Sequence, residues 1–136
     1  MLVVHIGSES EYIKISVPPS FSTEGWAQAD VEIAVNGFSG RVQPWVEAAD
    51  FEIFAAQLRS LYDSLQGEAE FSPMERQFTL KLTSKTGGHI QATGEAWSKA
   101  THENKLEYVI ELDQSFLSGP LRDLENLLVA SKKGAA

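Results

Sequence analysis

The residue types best suited to chemistry are thinly spread in this chain. His5, His89 and His102 lie far apart, with no H-x-x-x-H or H-E-x-x-H spacing, and cysteine is absent. A zinc site needs several ligands brought together, which such spacings usually arrange. Here the ligands would have to converge from separate elements. The lack of cysteine also removes disulfide frameworks and thiolate nucleophiles, and it agrees with a reducing cytoplasm. Gly37-Phe38-Ser39-Gly40 has the outline of a nucleophile elbow. It follows a hairpin signal rather than opening a helix, and the pattern places no base beside Ser39. Glycine-rich phosphate loops are missing. Glu68 with Glu70, and Glu107 with Glu111, share strand faces by spacing. Paired carboxylates hydrolyse glycosides only across a carbohydrate cleft, and a solvated strand face is the simpler reading. The expectation is therefore a protein with no catalytic residues, no metal and no cofactor.

Aromatic and acidic residues are the more informative set. The chain holds Trp26, Trp45 and Trp97, with Tyr12, Tyr62 and Tyr108 besides. By parity Trp97 falls on the polar face of its strand, and Trp45 lies opposite to Phe38 and Val42. Such residues are either covered by loops and helices or serve as interface anchors beside acids. The net charge of −8 argues against nucleic-acid binding, which depends on Lys and Arg neutralising phosphates. Charge is also uneven: residues 1–75 carry 12 acids and 3 bases, residues 76–136 carry 7 acids and 8 bases. That asymmetry serves solubility, or it steers a basic partner. The candidate partner-binding residues are Trp45, Glu47, Asp50, Glu68, Glu70 and Trp97.

The elements that must position these residues can be read from apolar periodicity. Residues 2–6 and 12–17 predict two strands, the second stopped by Pro18-Pro19. Residues 18–28 read as a loop whose Phe21 and Trp26 tuck back onto the body. Val31, Ile33 and Val35 alternate as a half-buried strand, and Asn36-Gly37 turns it into a return strand over 38–46. Gly40 and Pro44 suggest a bulge or edge position there. Asp50 is a suitable N-cap for a helix ending near Gln66, with Gly67 as its stop. Phe51, Phe54, Leu58, Leu61 and Leu65 draw its apolar stripe.

Residues 68–71, then Phe78–Leu82, Ile90–Ala96 and Leu106–Leu112, predict further strands, the last three forming a meander with one wet face. Ser118 and Pro120 open a second helix striped by Leu117, Leu121, Leu124 and Leu128, before a frayed tail over 131–136. The expected fold is α+β: an antiparallel sheet of about seven to eight strands with two helices packed on it, ordered ββββ-α-ββββ-α. A length of 136 residues suits one domain. The start lacks the basic n-region of a signal peptide, and no apolar run reaches membrane-span length, so a cytoplasmic protein without membrane contact is expected.

Several anchors together resemble one family. Gly37-Phe38-x-Gly40, Trp45, Asp50-Phe51-x-x-Phe54, Leu58, Gly67-x-Ala69, Gly88-His89-Ile90 and Asp113-Gln114-Ser115-Phe116-Leu117 resemble the WapI-type immunity proteins of bacteria. The resemblance spans about residues 31–128, and the first 30 residues add little to it. It implies a cytoplasmic antitoxin that binds and blocks the toxic C-terminal domain of a secreted toxin. It carries over no catalytic residue. The matching positions are mostly turn glycines, a cap and stripe aromatics, which speak for a shared fold before a shared partner. A basic toxin domain is the expected partner. The alternative is a small-molecule or regulatory binding module with a pocket between sheet and helices, and a third reading is an enzyme with a dispersed site.

Overall fold

Alternating apolar residues pair into ten strands in the computed structural model, which describes residues 1–134. The first half holds β1 (Leu2–Gly7), β2 (Tyr12–Val17), β3 (Trp26–Gln28), β4 (Asp30–Val35), β5 (Phe38–Val42) and β6 (Trp45–Glu47), followed by α1 (Ala48–Ser64). The second half holds β7 (Glu68–Phe71), β8 (Phe78–Ser84), β9 (His89–Trp97) and β10 (Lys105–Asp113), followed by α2 (Ser118–Gly134). Two antiparallel four-stranded sheets result, ordered β1-β2-β4-β5 and β10-β9-β8-β7, with β3 and β6 forming a separate ribbon. The α+β class and the strands–helix–strands–helix order agree with the periodicity. The strands number ten rather than seven to eight.

The extra strands have a simple origin. Pro44 lacks an N–H and interrupts the predicted 38–46 strand, which becomes β5 and β6. The Pro44 carbonyl instead accepts a hydrogen bond from the Ala29 N–H at 2.8 Å. Within the predicted 18–28 loop, Trp26–Gln28 pairs with β6, placing Gln28 opposite Trp45 and Trp26 opposite Glu47. A three-residue strand is too short to leave a periodic signal. Phe21 does fold back, edge-on to Phe51 at 6.1 Å.

The two halves repeat one plan: a four-stranded antiparallel sheet, then a helix. Each helix lies along the first strand of the other half's sheet, α1 along β7 and α2 along β1, and the helices pack on each other. The crossings at the far edges are reciprocal too, β10 near β4 and β5 near β9. Both helix-side edges are closed by a side chain. Gln57 Oε1 accepts the Glu70 N–H at 2.8 Å, and Asp123 Oδ2 accepts the His5 N–H at 3.3 Å. An exposed edge is a template for unwanted pairing, and these contacts remove two of them.

A single apolar core joins both halves. Phe51, Phe54, Leu58 and Leu61 of α1 are fully buried, as the stripe requires. In α2 the buried row is Leu121, Leu124 and Leu127, continuing from Leu117 just before the helix, with Leu128 only partly covered. Of the tail expected over 131–136, α2 occupies residues through Gly134, and 135 and 136 lie outside the described residues.

The start of α1 differs from expectation in a way that bears on the candidate residues. Glu47, not Asp50, occupies the N-cap, and Asp50 sits three residues on, accepting the Glu47 N–H on Oδ2 at 2.8 Å. This satisfies a backbone donor beside the helix start and sets a carboxylate near the positive end of the dipole. At the other end Leu65 takes the left-handed conformation (φ 55°) and donates its N–H to Leu61 O at 2.7 Å, ending the helix just before Gln66.

One close approach crosses the second sheet. Tyr108 on β10 reaches over Gly94 on β9, and its hydroxyl donates to the Thr79 carbonyl on β8 at 2.8 Å. A Cβ at Gly94 would lie 2.0 Å from that carbonyl oxygen and 2.4 Å from the Tyr108 hydroxyl. Gly94→Ala should therefore destabilise by about 3 kcal/mol through overpacking against backbone. Tyr108→Phe should cost only about 1 kcal/mol, the net worth of a hydrogen bond. Urea unfolding of the two variants checks this ranking.

Asp50 yields a second expectation. Burial raises its pKa above the ordinary 3.8, with the Glu47 N–H acting in the opposite direction. A carboxyl whose pKa is raised by folding adds stability while protonated, and loses that contribution as pH rises through its folded value. Relative to Asp50→Asn, the native chain should lose stability as pH climbs above 3.8; thermal unfolding across that range reads the difference.

Candidate partner-binding surface

The ribbon and the start of α1 carry Trp45, Glu47 and Asp50 close together in the chain, and Glu70 of β7 reaches Asp50. On β6, Val46 points into the core while Trp45 and Glu47 point outward. Trp45 is 46% exposed, a large aromatic left facing water. Asp50 and Glu70 meet across a small cleft of ≈ 180 Å³, together with Ile53, Gln57 and Ser72. Ile53 is 56% exposed, so this cleft has an apolar rim. Glu47 and Asp50 are half-buried and share the helix cap, which gives both a structural duty as well.

Glu68 and Glu70 do share one face of β7. Glu70 lies directly opposite Lys81 of β8, and Lys81 Nζ approaches the Glu68 carboxylate at 3.9 Å. That exposed pair contributes little. Glu47, Asp50, Glu52, Glu70 and Glu75 have no ion-pair partner among the described residues.

Trp97 stands apart from this group. It lies on the outer, polar face of the second sheet, as its parity predicts, and is half-exposed. His102 stacks on it at 4.5 Å with an interplanar angle of 9°, and Lys105 Nζ sits 5.2 Å from the ring centre. Lys105 in turn pairs with Glu107 at 2.6 Å and Glu95 at 3.4 Å. The hydrogen bond to Glu107 raises the Lys105 pKa, and the same contact lowers that of Glu107.

A cleft of ≈ 550 Å³ lies between the two halves beside Trp45. Gln28, Arg41, Gln43, Gln77 and Lys99 line it with the indole. Gln77 is buried and donates from Nε2 to the Trp97 carbonyl at 3.2 Å. Arg41 is held by Asp30, with Nε donating to Oδ1 at 2.8 Å; that contact lowers the Asp30 pKa and raises that of Arg41. Sequence reasoning missed these lining residues and Ile53. Their types carry no spacing signal, because distant segments bring them together.

Reactive groups are not assembled anywhere comparable. Among the described residues, no group of three or more His, Asp or Glu side chains is placed to hold a metal ion. Every buried side-chain nitrogen and oxygen there has a hydrogen-bond partner. Burial drives the Tyr108 pKa well up, and its hydroxyl is engaged with the Thr79 carbonyl. No helix among the described residues is long and apolar enough to cross a membrane.

Comparison with known proteins gives a family and a distant structural likeness. A solved structure described as crystal structures of Trypanosoma bruciei MRP1/MRP2 aligns with 93% of this chain and 81% of that chain, at 15% identity and a TM-score of 0.49. A likeness at that level assigns no function. No curated protein matches the sequence. The profile of the Immunity protein WapI-like family matches residues 2–130, nearly the whole chain and including the first 30 residues. The chain belongs to the WapI-like immunity protein family.

Proposed function

We propose that this chain is a non-catalytic, cytoplasmic inhibitor that binds and neutralises a basic toxin domain in a bacterial cell. Membership of an immunity family supports toxin neutralisation in general. The observation that carries the finer reading is the surface around the start of α1. There Trp45 is exposed on the same outward face of β6 as Glu47, Glu47 shares the helix cap with Asp50, and Asp50 lines a cleft with Glu70; these three acids lack ion-pair partners among the described residues. A half-exposed indole offers apolar area at low conformational cost, and unpaired acids around it select a cationic partner. Toxin domains that act on nucleic acids are basic, because they must approach phosphates. Trp97 and Glu68 serve at the margin, since each already has neighbours in the free protein.

The cleft beside Trp45 favours a second reading. Its volume suits a small ligand, and Arg41 and Lys99 would favour an anionic one. A metabolite retained through purification of the native protein would support a regulatory binding module instead.

The test is capture from the native host together with the product of the adjacent gene. A co-purifying basic domain whose toxicity is relieved by this chain supports the reading. A neighbouring gene without a toxic C-terminal domain, together with no captured basic protein, contradicts it. Trp45→Ala should weaken such a complex by about thirtyfold, a typical anchor loss, with little change in unfolding midpoint. Glu70→Lys should weaken it further, whereas Val129→Ala on the exposed face of α2 should not. Calorimetric titration against the captured domain measures all three.

A further inference from the structure

The four outer strand edges of the two four-stranded sheets are not treated alike. Those of β1 and β7 are closed by Asp123 and Gln57, as described above. The edge of β5 is only five residues long and runs into Gln43-Pro44. The edge of β10 is different. It is nine residues long, contains no proline, and keeps an unbroken register with β9 from Lys105 opposite Trp97 to Asp113 opposite His89.

The direction of its backbone groups follows from one hydrogen bond. Ser98 donates its N–H to the Asn104 carbonyl at 2.8 Å, and these two residues are the next opposed pair of the same ladder. In an antiparallel ladder, hydrogen-bonded pairs recur every second residue. Leu106, Tyr108, Ile110 and Leu112 therefore bond to β9, while Glu107, Val109 and Glu111 turn their N–H and C=O groups outward. Among the described residues nothing pairs with those outward groups. Val109 is 56% exposed, and Glu107 and Glu111 are exposed on either side of it.

We infer that the free edge of β10 is a strand-addition site that takes an extended, basic segment of a partner protein as a fifth strand of the second sheet. Main-chain hydrogen bonds to Glu107, Val109 and Glu111 supply the affinity of such a docking. The side chains of the same three residues select the occupant, Glu107 sharing its carboxylate with Lys105 at 2.6 Å and Glu111 with the Gln91 amide at 3.0 Å. An added strand would set its residues directly opposite them, close enough for charge pairing. It is therefore read as Lys or Arg four residues apart, opposite Glu107 and Glu111, with an apolar residue between them over Val109. A second copy of this chain is the poorer occupant. Antiparallel pairing centred on Val109 sets Glu107 against Glu111 on both sides, and like charges directly opposed are destabilising. The inference rests on the toxin-binding reading only for its expectation of a basic partner, and it concerns a different surface from that around Trp45.

The experiment uses the intact chain and a nine-residue peptide with two lysines flanking a valine on one face and threonines on the other. Amide exchange at Glu107, Val109 and Glu111 is followed by NMR. The expected result is slowed exchange at those three amides with the lysine peptide. The protection should be lost when glutamate replaces lysine and when every peptide amide is N-methylated. Val109→Pro should abolish it too. That substitution is compatible with folding, because the Val109 N–H makes no ladder bond and proline is accepted on edge strands. The methylated peptide asks the same question of the unaltered protein. Absence of protection would overturn the inference, as would equal protection by the glutamate peptide. Protection that rises with protein concentration alone would also overturn it, by identifying a second copy as the occupant. None of these results touches capture of a toxin domain, which tests the functional reading separately.

Discussion

The structure depends on a run of aromatic contacts that ties α1 to the second sheet. Phe51 meets Phe71 at 4.9 Å, Phe54 meets Phe71 at 5.9 Å, Phe71 meets Phe78 at 6.0 Å, and Phe78 stacks on Tyr108 at 6.4 Å. All five rings are essentially buried. Aromatic residues bury the most area per side chain, and their preferred geometries add to it. The run starts in the helix that closes the first half and ends on the last strand of the second. It anchors α1 on the second sheet, within the single apolar core that joins both halves. α1 lies along β7 and α2 along β1, and each placement buries the apolar stripe of its helix.

The interior of the described residues is occupied by this apolar core. The buried polar side chains Gln77, Thr79 and Ser131 serve the fold rather than a reaction: Gln77 and Ser131 bond to main-chain carbonyls. What remains outside is an uneven distribution of carboxylates, a few aromatics and one long open strand edge. These are the elements of recognition between proteins, in which charge sets encounter and orientation while a few buried contacts hold the complex.

Much of this was legible in the sequence, for identifiable reasons. The 3-4 spacing of Phe51, Phe54, Leu58 and Leu61 announced a helix with one buried face. Strict alternation through Leu106, Tyr108, Ile110 and Leu112 announced a half-wet strand. Asn36-Gly37 marked the hairpin between β4 and β5, where Gly37 adopts φ 86°. The division into two sheets was not legible, because nothing local tells a strand which sheet it joins. The ribbon of Trp26–Gln28 with Trp45–Glu47 was too short for periodicity. The Asp50 cap was misplaced because an acid three residues inside a helix looks much like one at its start. Among the candidate residues, Glu47 and Asp50 share the helix cap and Asp50 meets Glu70, with Trp45 two residues before Glu47 on β6, whereas Ile53, Gln57 and the cleft residues Gln28 and Lys99 carried no pattern at all.

The account centres on an electronegative exterior that recognises a cationic protein. The dependence of the association rate on ionic strength, measured by stopped flow with a captured toxin domain, tests this most directly. Electrostatic steering predicts an association rate that falls steeply as salt rises, with the dissociation rate nearly constant. An association rate indifferent to salt would contradict it.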